Sequence, residues 1–124
     1  MATLSNAVFD SGLSTLTTNG TRIDICSTEP TTYAEATSTY TLGNDTASIG
    51  SPAERTGGGR EVTVAAVSDA SVTGTGTASF FAITNGTDTL YVTGDLTTAQ
   101  SVTTGNAFSL GSFTVGIPDP ASGV

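Results

Sequence analysis

Gly76-Thr77-Ala78-Ser79-Phe80-Phe81-Ala82-Ile83-Thr84-Asn85-Gly86-Thr87-Asp88-Thr89-Leu90-Tyr91-Val92-Thr93 carries the clearest fold signal in the chain. In an extended 76–84 segment, Phe80 and Ala82 fall on one side, and Phe81 and Ile83 on the other. A second β-type run, 89–93, follows with Leu90, Tyr91 and Val92. Asn85-Gly86 lies between them and readily takes the positive φ of a hairpin turn. The stretch reads as an antiparallel hairpin and sets the expectation for its neighbours.

Upstream, Val62, Val64 and Ala66 alternate against Thr63, Ala65 and Val67, which predicts a central strand apolar on both faces. Downstream, Phe108, Leu110, Phe113, Val115 and Ile117 supply one more strand or a pair, with a bulge or bend near Gly111 where the phase changes. Residues 21–27 alternate too. Ile23 and Ile25 face one way, and Arg22, Asp24 and Cys26 face a side that is wet or shared with a partner. Pro30 closes this strand. Residues 31–37 read as a loop with a helical turn carrying Tyr33. Residues 38–42 form a short strand with Tyr40 and Leu42 on one side, and Gly43-Asn44-Asp45 marks a turn.

Two segments depart from β-pattern. Residues 4–17 predict a helix with Ser5 as N-cap and Val8, Phe9, Leu13 and Leu16 on one face, stopped by Asn19-Gly20. Residues 47–60, with Pro52 and Gly57-Gly58-Gly59, predict a long exposed loop. Turn signals about every ten residues argue for an all-β domain, an antiparallel sandwich or barrel. It has a short N-terminal helix and extended terminal arms. Residues 1–124 form one domain, comprising an N-terminal arm and helix (1–20), the 47–60 loop and a 118–124 tail.

Composition narrows function by exclusion. There is no histidine, and the three cations are all arginine. A Ser-His-Asp or Cys-His pair, a lysine Schiff base and a lysine-tipped phosphate loop are therefore out of reach. The net charge of −8 disfavours nucleic acid and anionic membrane surfaces, which need clustered Lys and Arg. Thr and Ser fill about a third of the chain, which suits half-wet pleated surfaces. Cys26 is the single cysteine, so no intrachain disulfide forms. The opening MATLSNAVFDSG has no basic stretch and no long apolar run, and synthesis in a cytoplasm or an infected cell is expected.

The remaining motifs have bland readings. Gly57-Gly58-Gly59-Arg60 lacks the ending of a phosphate loop and reads as a flexible turn. Asp45, Asp69, Asp88, Asp95 and Asp119 fall in expected turns, as do the Asn-x-Thr positions Asn19, Asn44 and Asn85. Cys26 reads as a small, partly buried strand residue. Val72 to Thr77 alternates Thr and Gly, which fits either a loop or a flat edge open to a partner. No catalytic residue, metal or cofactor is expected. Tyr33, in a loop, is the best interface tyrosine.

The order Ser5-Asn6-Ala7-Val8, helix, Asn19-Gly20, Ile23-Asp24-Ile25 and Pro30 resembles small structural proteins of tailed bacteriophages and prophages. Gly76-Thr77-Ala78-Ser79-Phe80-Phe81 and Asn85-Gly86 extend the resemblance across most of the chain. It implies a virion structural protein, first a capsid decoration (cement) protein made in the host cytoplasm and placed on the head exterior. Its implied partners are the major capsid protein and other copies of itself, with a trimer favoured. In that setting Arg22, Arg55 and Arg60 pair with capsid carboxylates, and Tyr33 and the tail residues Pro118 and Pro120 contribute contacts. A tail, fibre or head-surface adhesion module for a host receptor or glycan is the alternative, although few exposed aromatics are expected for stacking on sugars.

Overall fold

The Asn-Gly hairpin forms. In the computed structural model, which describes residues 5–117, β6 (Gly76–Thr84) pairs antiparallel with β7 (Leu90–Val102). The turn differs from a tight two-residue one. Only Gly86 takes positive φ, while the Asn85 side-chain oxygen accepts the backbone N–H groups of Thr87, Asp88 and Thr89 at 2.9, 2.9 and 3.0 Å. Asn85 therefore organises the turn through its side chain rather than its own φ.

Helix α1 (Asn6–Asn19) leads into β1 (Arg22–Cys26), a π-helical turn (Glu35–Thr39), β2 (Thr41–Thr46), β3 (Ala53–Glu54), β4 (Arg60–Val64) and β5 (Val67–Val72). After β6 and β7 come β8 (Ala107–Leu110) and β9 (Phe113–Ile117). The larger sheet runs β7-β6-β1-β2-β5-β8, and a smaller one runs β3-β4-β9. Every pairing is antiparallel, and the sheet curls into a half-barrel. The bend at Gly111-Ser112 is real, and it sends β8 and β9 to different sheets.

Beneath the concave side lies one core of Leu13, Leu16, Ile23, Ile25, Val62, Val64, Ile83 and Phe108, among others. At about 100° per residue, Phe9, Leu13 and Leu16 share a face toward β4. Val8 lies a quarter-turn or more away from that face and is 54% exposed, against expectation. Ser5 sits at the N-cap position without making a side-chain cap.

Several expectations shift. The far side of β1 is not wet: Asp24 and Cys26 are fully buried, because the 33–40 segment folds across it with Ala36 and Tyr40. Gly43-Asn44-Asp45 is not a turn but the middle of β2, in register with Ile25, Asp24 and Ile23. A Cβ at Gly43 would lie 2.6 Å from the Ser71 carbonyl oxygen and 2.8 Å from the Phe108 ring, so glycine here permits close approach rather than a bend. The 62–67 run splits at Ala65-Ala66 into β4 and the unexpected β5, and Thr63 is exposed, so β4 is central in its sheet but apolar on one face only.

The 47–60 loop is also more ordered than its composition suggests. Ala47 and Ile49 are buried, Ile49 bridges to Val64, and β3 pairs with β4 around a turn in which Gly57, Gly58 and Gly59 all have φ near +100°. Three consecutive positive φ values require glycine. Asp45 and Asp95 lie within strands, and Asp69 takes φ +55° at an irregularity of β5. Asp119 and the 118–124 tail lie outside the described residues, as does the start of the N-terminal arm.

Gly43→Ala should lower the urea midpoint by an amount equivalent to about 1–3 kcal/mol, since the new methyl overpacks a closed site. Gly50→Ala meets its nearest atom at 3.8 Å and should leave stability within about 0.5 kcal/mol. Equal midpoints for the two variants would remove the close-approach explanation of Gly43.

Candidate functional site

All three cations are engaged inside the chain. Arg22 donates to both oxygens of Asp24, from Nε at 2.8 Å and Nη2 at 3.0 Å, and the Thr41 hydroxyl donates to Asp24 Oδ2 at 2.7 Å. Asp24 thus enters the interior as a satisfied carboxylate. The Asp24 hydrogen bonds raise the Arg22 pKa despite the desolvation that opposes them. Arg55 donates to the Gly58 carbonyl at 3.0 Å and stiffens its own turn. Arg60 donates to Asp10 from Nε at 2.8 Å.

Arg60 is a junction. It pairs in register with Glu54 across the β3–β4 hairpin and with Ile117 of β9, while its guanidinium holds Asp10 in α1. Gly12 of the helix lies against Ile117, since a Cβ there would be 3.9 Å from its Cδ1. The first turns of α1, the glycine hairpin and the last residue of β9 therefore meet at one pole.

A cleft lies elsewhere, at the open side of the half-barrel. Its cause is a large bulge in β7. Ala78 pairs with Gln100 and Phe80 with Asp95, so Ser79 alone faces residues 96–99. This excursion overhangs the β8–β9 bend and leaves a cavity of about 470 Å³ between them. Phe81, Leu96, Leu110 and Phe113 supply its apolar lining. The Phe81 and Phe113 rings are 4.6 Å apart and tilted by 50°, and Phe81 also lies over Gly94. Gln100 Nε2 donates across the gap to the Ser109 carbonyl at 3.3 Å, joining the two sheet edges by a side chain. The run Asp95-Leu96-Thr97-Thr98-Ala99-Gln100 gave no sign of this bulge, which arises only from unequal pairing with β6.

The residues singled out from sequence are not brought together. Arg22 lies by the buried Asp24, with Tyr33 near its guanidinium. Arg55 and Arg60 lie at the pole, while Pro118 and Pro120 fall outside the described residues. A second hollow of about 320 Å³ lies beside Arg22, Asn44, Asp45 and Asp69. No three carboxylates or thiols converge as a metal site among the described residues, and no described helix is long and apolar enough to cross a membrane. The Cys26 thiol is pushed up to about 12 by burial and then by the Asp24 charge, and it lies 3.7 Å from the Ala36 carbonyl. No family model, curated protein or solved structure matches the chain.

Arg22→Ala strands a buried carboxylate and should cost on the order of 3 kcal/mol in chemical unfolding. Arg22→Lys should recover only part of this, because it lacks the two-pronged geometry. Wild-type stability after Arg22→Ala would refute the pairing. The folded Cys26 keeps its proton above the ordinary value of 9.0. Its contribution to stability is therefore complete below that pH and is lost as pH rises toward about 12. Native protein at pH 8 should resist a thiol reagent that labels it promptly in denaturant; equal labelling rates would contradict the burial.

Proposed function

We propose that this chain is a non-enzymatic virion structural protein, a capsid decoration protein that bridges major capsid subunits on the head exterior, in trimers. The observation that carries this reading is the convergence at Arg60. Asp10 in the early turns of α1 and Ile117, the last described residue of β9, flank Arg60, and the glycine hairpin lies beside them. Elements gathered at one pole of a β-body can engage neighbouring subunits on one surface while the rest of the body faces away.

The electrostatics fit an exterior position. The chain carries eight more negative than positive charges, and its arginines are already committed to Asp24, Asp10 and the Gly58 carbonyl. Such a surface repels packaged nucleic acid. It also makes the arginine contacts to capsid carboxylates less available than the sequence suggested, so docking rests on backbone and apolar contacts. Free strand edges can supply the backbone contacts. Among the described residues, β7, β8, β3 and β9 each leave one side unpaired. Many weak contacts acting together hold such a protein against internal pressure.

Electron microscopy of assembled particles should place the protein on the head exterior at junctions between capsomers, in fixed stoichiometry. Alanine at Gly57, Gly58 and Gly59, where three positive φ values disfavour a Cβ, should distort the β3–β4 turn and reduce head occupancy while the six-stranded sheet stays folded. Purified heads that contain none of the protein, with tails that do, would overturn the proposal.

A further inference from the structure

The cleft under the β7 bulge combines an apolar floor with a polar rim. Its floor is apolar and partly aromatic, formed by the half-buried Phe81 and Phe113 with Leu96 and Leu110. Its rim holds Asp95, Thr97, Thr98, Ser112 and Thr114. Among the described residues none of these five side chains makes a hydrogen bond within the chain. All five are solvent-exposed, so their polar atoms are open to a ligand. Gln100 uses its amide N–H on Ser109 and leaves its carbonyl oxygen for a ligand.

The occupant follows from this chemistry. An aliphatic or aromatic side chain would use the floor alone and leave the exposed hydroxyl rim without a part in recognition. An anion would meet no cation, since none of the three arginines lines the cleft, and would be repelled by Asp95. A neutral sugar ring matches both parts. Its C–H face lies on the negative faces of the phenylalanine rings, and its hydroxyls exchange hydrogen bonds with Asp95, Gln100 and the rim threonines. A volume of about 470 Å³ lies within the range of small-ligand sites and leaves room for one ring with its linkage projecting to solvent.

We infer that the cleft between the 96–99 bulge and the β8–β9 bend binds a neutral sugar residue of a larger glycan. This does not rest on the capsid reading: a decoration protein or any other exterior β-module would gain from it a weak hold on a polysaccharide surface.

The test uses the full chain, isotope-labelled, titrated separately with glucose, galactose, mannose, rhamnose and N-acetylglucosamine at millimolar concentrations. At least one should transfer saturation from the protein and shift backbone amides confined to 95–100 and 111–114. Phe113→Leu keeps an apolar residue at the floor but removes the ring, and should weaken binding roughly tenfold. Gln100→Ala should weaken it as well, with an unchanged fold shown by the remaining amide spectrum. No response to any of the five sugars, shifts mapping elsewhere, or unchanged affinity in both variants would overturn the inference. So would protection of the same amides by assembled capsids with no response to sugars, which would make the cleft a protein contact.

Discussion

Burial of β1 on both faces is the constraint around which the structure is arranged. On the concave side Ile23 and Ile25 join the helix residues Leu13 and Leu16 in the main core. On the convex side a carboxylate is buried, and burying it without partners would be ruinous in a low-dielectric interior. Arg22 from the same strand and Thr41 from the next supply three hydrogen bonds to Asp24. The chain between them must cross the sheet to bring Thr41 into place, and in crossing it covers Cys26 and Ala82 with Ala36 and Tyr40. One polar residue thus fixes the path of the 33–40 segment and the register of β1 against β2.

The second organising contact is the Asp10–Arg60 ion pair, which has a different character. It is partly exposed, and its value lies in geometry more than in stability. It ties the helix to the small sheet at the residue where the hairpin and β9 meet. The smaller sheet and the curled larger one then close over the same core, leaving the half-barrel open beside β7. The open side and the pole differ chemically. One is a cleft with an aromatic floor and one carboxylate at its rim, and the other is a junction of α1, the end of β9 and glycine-rich backbone. A small domain with two such surfaces can hold one partner and present the second surface to another.

The hairpin at Asn85-Gly86, the helix ending at Asn19 and the break near Gly111 were readable because each depends on local chemistry. Residues whose role depends on remote neighbours were not. Gly43 looked like a turn because glycine beside Asn and Asp usually is one; its reason is the Phe108 ring, which is distant in sequence. Asp24 looked like a solvent-facing strand residue, since nothing nearby announces that Tyr40 and Ala36 will cover it. The cleft had no signal at all: Leu96, Thr97 and Thr98 continue the strand composition, and only the count of residues opposite Ser79 forces them outward.

By itself, then, the chain's order of residues determined an antiparallel β-domain with one leading helix, an anionic character, and the lack of histidine and lysine chemistry. These follow from side-chain alternation, backbone preferences and formal charge, which need no knowledge of the fold. The tertiary structure alone decided which strands became edges, which charges were consumed internally and where a cavity opened. Those outcomes depend on pairing register and packing between residues far apart in the chain, and a difference of a few residues between two paired strands is enough to change them.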